Sequence, residues 1–219
     1  MRFLLLDTCG REGSVALADT QRQPSIRASE RLPGRSSSES LVLVVRQVME
    51  AGGWLLKDLT AIVVVSGPGS FTGVRVGLST AKGLSEAAGV PVIAVSRLTL
   101  LARLSSKNAD RVCAVLDAGR GEFYFGEVVD RCSQREALME KAEVEIAAAG
   151  SVVVTYEANV AEALAGLCPE LVREPVAEDA LPLAAERAAA SDFDDVETLD
   201  ANYLRRTDAQ IFAKPKSTA

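Results

Sequence analysis

Two carboxylates hold matching places in the sequence. Asp7 ends the apolar run Phe3-Leu4-Leu5-Leu6 and is followed by Gly10 and Gly13, while Asp117 ends Val112-Cys113-Ala114-Val115-Leu116 and is followed by Gly119 and Gly121. In a two-lobed nucleotide-dependent phosphotransferase, acids at such strand ends hold Mg²⁺ and phosphates or activate a hydroxyl. The plainer alternative is that each accepts hydrogen bonds from its own turn. No cationic phosphate clamp stands beside either acid in the sequence, which favours the plainer alternative.

The block at residues 67–83, GPGSFTGVRVGLSTAKG, is the other feature with chemical potential. Gly67-Pro68-Gly69 makes a tight strand-to-helix turn, and Ser70 and Thr72 can cap the helix that follows. Free N–H groups at a helix start can hold an anion. No Lys-Ser or Lys-Thr follows the glycines, so this is not a Walker loop, and a structural turn is the favoured reading. Gly73, Gly77 and Ala81 recur at a spacing of four and make a shallow groove along one helical face. Such a groove admits a close neighbour, either the chain's own sheet or a helix of another protein.

Composition removes many chemistries. Histidine is absent from all 219 residues. That excludes Ser-His-Asp and Cys-His catalysis, HExxH zinc sites and imidazole proton shuttles. Cys9, Cys113, Cys132 and Cys168 form no CxxC pair, so neither a zinc ribbon nor a thioredoxin-type motif is indicated. A net charge of -6 repels phosphate backbones, so a stand-alone nucleic-acid binder is disfavoured. The small basic cluster Arg205, Arg206, Lys214 and Lys216 reads as a solvated tail, or else as an RNA contact inside a larger assembly. Met1 to Asp7 is too short for a signal peptide, and no apolar run is long enough to span a bilayer, so a cytoplasmic protein with no membrane partner is expected.

The elements that must position these residues follow from periodicity. Residues 3–7 and 14–18 read as a hairpin, with residues 25–31 as a third strand. Pro33-Gly34-Arg35-Ser36 breaks the pattern, and Ser36 with Glu39 forms a capping-box signature. The helix after it places Leu41, Val44, Val45 and Val48 on one face, with Val42 and Met49 extending apolar character to a second, and ends at Gly52-Gly53. Ala61-Ile62-Val63-Val64-Val65 is uniformly apolar, as a parallel strand covered on both sides should be. A helix over 72–88 and a strand over 92–95 complete an α/β layer. The second half opens in the same way, then continues with a strand at 152–154 and helices near 159–167 and 179–190. Two lobes of related topology are expected, 1–105 and 106–219, divided in the polar stretch Ser105-Ser106-Lys107-Asn108.

Taken together, these residues resemble the TsaB (YeaZ-like) family, a branch of the ASKHA superfamily of actin-like ATPases, sugar kinases and Hsp70 proteins. The resemblance rests on Leu6-Asp7-Thr8, the block at 67–83, the strand through Val92 to Ser96, the stretch from Asp117 to Tyr124, and Tyr203-Leu204-Arg205. It implies an α/β fold of two ribonuclease-H-like lobes with mixed sheets flanked by helices. It implies a non-catalytic subunit that binds and supports a TsaD-like transferase as a heterodimer. The complex would install threonylcarbamoyl on adenosine 37 of tRNAs reading ANN codons, with a TsaE-like ATPase. The tRNA would be met only through the complex, and a homodimer would be the fallback when the partner is missing.

The catalytic relative TsaD holds its metal with a His-x-x-x-His pair after the strand that corresponds to Val92–Val95. The resemblance puts Arg97 and Leu101 at those positions, so neither a catalytic residue, a metal nor a cofactor is expected. Many members also carry a histidine around residues 35–40, where this chain has Ser37. The expected partner interface takes Leu41, Val44, Val45 and Val48 from the first helix and Gly73, Val74, Gly77, Leu78 and Ala81 from the second. The rival readings are a phosphotransferase using Asp7 and Asp117, a peptidase, which the missing metal pair disfavours, and a self-sufficient homodimer.

Overall fold

The computed structural model describes residues 1–32 and 37–204, without the side chains of 37–39. The first half runs β1 (Arg2–Asp7), β2 (Gly13–Asp19), β3 (Ile26–Leu32), α1 (Ser37–Gly52), β4 (Ala61–Val65), α2 (Phe71–Ala88), β5 (Val92–Val95) and α3 (Arg97–Arg103). The second runs β6 (Arg111–Gly119), β7 (Glu122–Val129), β8 (Cys132–Glu140), α4 (Lys141–Ala147), β9 (Val152–Thr155), α5 (Ala158–Ala163), β10 (Glu170–Leu171) and α6 (Leu181–Ala189).

The strands form two five-stranded sheets, in the orders β3-β2-β1-β4-β5 and β10-β9-β6-β7-β8. In each, the opening hairpin is antiparallel, and its first strand pairs in parallel with the strand that follows the helices. Counted from its own start, each sheet therefore has the same order. This is the ASKHA-type arrangement of two ribonuclease-H-like lobes with mixed sheets flanked by helices.

Strand alternation explains how the helices are shared out. On β2, Leu17 lies beside Gly52 of α1, while the Ser14 hydroxyl accepts a hydrogen bond from the Ala177 N–H at 2.8 Å. Odd and even positions face opposite sides, so α1 and α2 cover one face of the first sheet and residues 177–189 cover the other. In the second sheet, Cys113, Val115, Phe123, Phe125 and Val153 pack with Val144 and Val160 of α4 and α5. Val112, Ala114, Leu116, Val128 and Val154 pack with Leu98, Leu101 and Ala102 of α3.

All strands of the first sheet come before residue 105 and all strands of the second come after it, whereas the helices are shared. Helix α3, which precedes residue 105, belongs to the second sheet. The turn Ala177–Ala180 and α6, which follow it, belong to the first core. The Ser36–Glu39 capping box and the basic cluster at 205–216 lie outside the described residues. The edge strand β8 and the short helices α3 and α4 had no expectation from the sequence. Strand β8 alternates poorly because most of its residues are exposed.

Candidate functional site

A cleft of about 890 Å³ lies between the lobes. Its walls come from the turn after β1, the start of α2, the start of α3, the β6–β7 turn, and Tyr156 with Glu157 after β9.

The glycine block builds the first wall. Gly67 has φ of 100°, a left-handed conformation that favours glycine. A Cβ on Gly69 would collide with the Cys9 carbonyl, one on Gly73 with the Thr8 carbonyl, and one on Gly77 with the Thr8 hydroxyl. The three glycines therefore let α2 rest directly on the end of β1. The Thr8 hydroxyl donates to the Gly73 carbonyl at 2.6 Å, and the Cys9 thiol donates to the Val65 carbonyl at 3.2 Å. Amides at the helix start are also engaged within the chain. Ser70 N–H donates to the Cys9 carbonyl at 2.9 Å, Gly73 N–H to the Ser70 hydroxyl at 3.3 Å, and Val74 N–H to the Ser70 carbonyl at 2.9 Å. These bonds agree with a structural turn.

Of the carboxylates singled out in the sequence, Asp117 lines the cleft and Asp7 lies buried behind Thr8, and both accept from their own turns. Asp7 is buried and accepts from Cys9 N–H at 2.8 Å. Burial raises its pKa, against the opposing pull of Arg97 and the Cys9 N–H. Asp117 is exposed; it accepts from Gly119 N–H at 2.7 Å and from the Asn159 amide at 2.9 Å. Its own N–H donates to Glu157 at 2.6 Å.

What the sequence did not reveal here is the ion pair between Arg97 and Glu174. Arg97 is the first residue of α3, and its side chain is only 2% exposed. Its guanidinium donates to Glu174 at 2.6 Å and lies 5.4 Å from the centre of the Tyr156 ring. Burial works against its charge, but Asp7, Tyr156, Cys9 and Glu174 outweigh that and hold its pKa above the ordinary arginine value. Burial also pushes the Tyr156 phenol up, with Arg97 opposing. Position 97 was visible in the sequence as a replaced ligand, but Glu174 lies 77 residues away in a stretch without a readable motif.

These residues do not fit a metal. The guanidinium of Arg97 is a donor with no lone pair to offer, and Leu101 is 0% exposed inside the apolar layer under the second sheet. Among the described residues, no group of three or more His, Cys, Asp or Glu is placed to share an ion. No described helix is long and apolar enough to cross a membrane.

The residues expected at a partner interface sit as follows in the lone chain. Leu41, Val45, Val48, Gly73, Val74, Gly77, Leu78 and Ala81 are all buried within the chain, and Val44 is half-buried against the same core. At Gly73 and Gly77 the groove faces Thr8, with Val64 of β4 beside Gly77. What α1 leaves open is Val42 and Leu43, each 60% exposed. Near the start of α2, Phe71 is also exposed. The Arg75 guanidinium lies 3.7 Å from the centre of its ring, and Arg75 Nε donates to the Tyr203 hydroxyl at 2.5 Å.

A family model for tRNA N6-adenosine threonylcarbamoyltransferase (TsaD) matches residues 31–166, more than half of the chain. The tRNA threonylcarbamoyladenosine biosynthesis protein TsaB of Escherichia coli (strain K12) is 36% identical over 129 residues, 58% of this chain and 54% of that protein. TsaB of Haemophilus influenzae is 35% identical over 131 residues, 59% of this chain and again 54% of the relative. The matched region thus spans about half the length of these curated relatives. Among solved structures, an uncharacterized Pseudomonas aeruginosa protein similar to peptidase YeaZ superposes with a TM-score of 0.78 at 30% identity, covering 93% of this chain and 99% of that one. YeaZ from Pseudomonas aeruginosa gives a TM-score of 0.77 at 29% identity with the same coverage. The chain belongs to this family, and within it to the TsaB (YeaZ-like) group.

Proposed function

We propose that the chain is a non-catalytic subunit of the machinery that makes threonylcarbamoyladenosine in tRNA. It would bind and support a TsaD-like transferase that acts on adenosine 37 of tRNAs reading ANN codons. A TsaE-like ATPase would join the larger complex, and tRNA would be met only there. The names of the TsaB relatives supply the pathway. The observation that supports the non-catalytic part is Arg97, a buried and ion-paired guanidinium at the position that the resemblance matches to a metal ligand of the catalytic relative. Leu101 at the second position belongs to the core.

The two lobes divide the work in this reading. The first offers the exposed flank of α1, with Val42 and Leu43, to the partner, and a second copy takes that place when the partner is missing. Copurification of the full chain from its native cell should recover a TsaD-like protein. Depletion should lower threonylcarbamoyladenosine on ANN-decoding tRNAs, as read by mass spectrometry of digested tRNA. Unchanged modification would end the assignment. ATP turnover by the pure chain that Asp7→Asn abolishes would instead favour a phosphotransferase. The engagement of Asp7 and Asp117 by their own turns argues against that outcome.

A further inference from the structure

The outermost strand of a sheet has backbone groups with no neighbour on one side, and such an edge invites another strand. The outer strands here are β3 and β5 in the first sheet and β10 and β8 in the second. Three of them carry their own protection. β3 bears Arg27, Glu30 and Arg31, β8 bears Arg135 and Glu136, and β10 is two residues long. The fourth, β5, reads Val92-Ile93-Ala94-Val95, with no charge and three β-branched residues.

Charges reach the β5 edge from elsewhere in the chain. The Pro91 and Val95 carbonyls accept from Ile62 and Ser66 N–H on the β4 side, so by alternation Val92 and Ala94 turn their backbone groups outward. Asp194 makes an isolated antiparallel bridge with Val92, its N–H donating to the Val92 carbonyl at 2.9 Å. A strand continuing from that bridge would set residue 192 opposite Ala94. Two side chains stand there instead. Ala94 N–H donates to the Asp194 carboxylate at 2.7 Å, and the Ala94 carbonyl accepts from the Arg187 guanidinium at 2.8 Å. Arg187 also donates to Asp194 at 3.1 Å and to Asp192 at 2.7 Å. Ser191, at φ of 55°, turns the chain back after α6, and the Asp192 N–H donates to the Arg187 carbonyl at 2.9 Å. Arg187 is thus fixed through its backbone and its side chain alike.

We propose that Arg187 and Asp194 form a stopper on the open edge of β5, which takes the backbone groups an added strand would need and keeps the β5 of a second copy of the chain from pairing there. A second copy suits this edge because Val-Ile-Ala-Val is its own complement. Two such strands related by a two-fold axis exchange antiparallel bonds and bring apolar side chains together. An ion pair placed only for cohesion has no reason to take both outward groups of one edge residue. The stopper acts whether or not the chain partners a transferase.

The test compares the full-length wild type with the double variant Arg187→Ala/Asp194→Ala by sedimentation velocity over a concentration series, with circular dichroism to establish folding. The double variant should self-associate at roughly a tenth of the concentration the wild type needs, or lower. Adding Ala94→Pro should return it to the wild-type state. Proline removes the outward N–H that a new strand must bond, and pairing with β4 survives because that N–H does not face β4. This rescue separates β5 pairing from contact through α1, which proline at position 94 leaves alone. A folded double variant that sediments as the wild type overturns the proposal, and so does association that Ala94→Pro fails to reverse. Should the double variant unfold at the working temperature, Asp194→Ala, which frees the Ala94 N–H, takes its place and is judged by the same two outcomes.

Discussion

Thr8 and Gly73 meet where α2 crosses the end of β1: the Thr8 hydroxyl donates to the Gly73 carbonyl at 2.6 Å, and the Thr8 carbonyl lies where a side chain on residue 73 would begin. One turn further along, Gly77 faces the Thr8 hydroxyl itself. The helix is thus seated by one residue that offers backbone to one glycine and side chain to the next.

These two contacts should respond differently to mutation. Gly73→Ala and Gly77→Ala should each cost about 1–3 kcal/mol through overpacking. Thr8→Ala alone should cost about 1 kcal/mol for the lost hydrogen bond. In urea unfolding, Thr8→Ala should relieve much of the Gly77→Ala penalty, because the obstructing hydroxyl is gone. It should not relieve Gly73→Ala, whose obstacle is backbone. Equal rescue of both would show that α2 does not sit on Thr8 as described.

The two flanks of α1 should separate folding from binding. Val42→Asp places a charge on an exposed position and should leave the thermal melt nearly unchanged while weakening capture of a TsaD-like partner. Val45→Asp buries an unpaired carboxylate in the first core and should cost about 3 kcal/mol or more. Normal capture by Val42→Asp would remove this flank from the proposed interface.

Glu170 ties the segment between the lobes to β10. It accepts from the Ser105 hydroxyl at 2.6 Å, the Ser106 N–H at 2.8 Å and the Ser106 hydroxyl at 2.6 Å. Burial opposes its charge, but these donors and Lys107 lower its pKa below the ordinary glutamate value. A carboxylate whose folded pKa is depressed contributes stability above its unfolded pKa and loses it as the pH falls through the folded one. Glu170→Ala should therefore melt below the wild type at neutral pH, and the gap should close on acidification. A gap that persists unchanged at low pH would mean the tie does not depend on charge.

Gly10→Ala tests the crowding over the Arg97–Glu174 ion pair. The added methyl must displace Glu174 or Arg97. A loss of about 1–3 kcal/mol is expected in denaturant unfolding. Pairing it with Glu174→Ala should shrink the penalty, since the nearer obstacle is then absent.

Strands β1 to β7 and β9 were legible because their patterns are strong. β1 and β4 are apolar throughout, and both Asp-glycine turns announce hairpins. Helix α2 was legible from its glycines and its cap. What those glycines face was not, because the sequence gives a groove without saying what fills it. Thr8, 65 residues upstream, fills it. The same limit hid Glu174, which no local pattern links to Arg97. Helix α3 escaped notice because it is seven residues long and buried on nearly every side, so it lacks the polar face that periodicity detects.

The exchange of helices between the two sheets carries a consequence for biosynthesis. A ribosome releases β1 to β5 first, but the segment that covers the second face of their sheet, residues 177–189, emerges only after β6 to β10. Until then Ser14 lacks the Ala177 N–H it accepts from, and apolar side chains on that face remain in contact with water. Helix α3, meanwhile, waits for strands not yet made. The nascent first lobe therefore stays incomplete until residues 177–189 have left the ribosome, so its closure follows the synthesis of all ten strands.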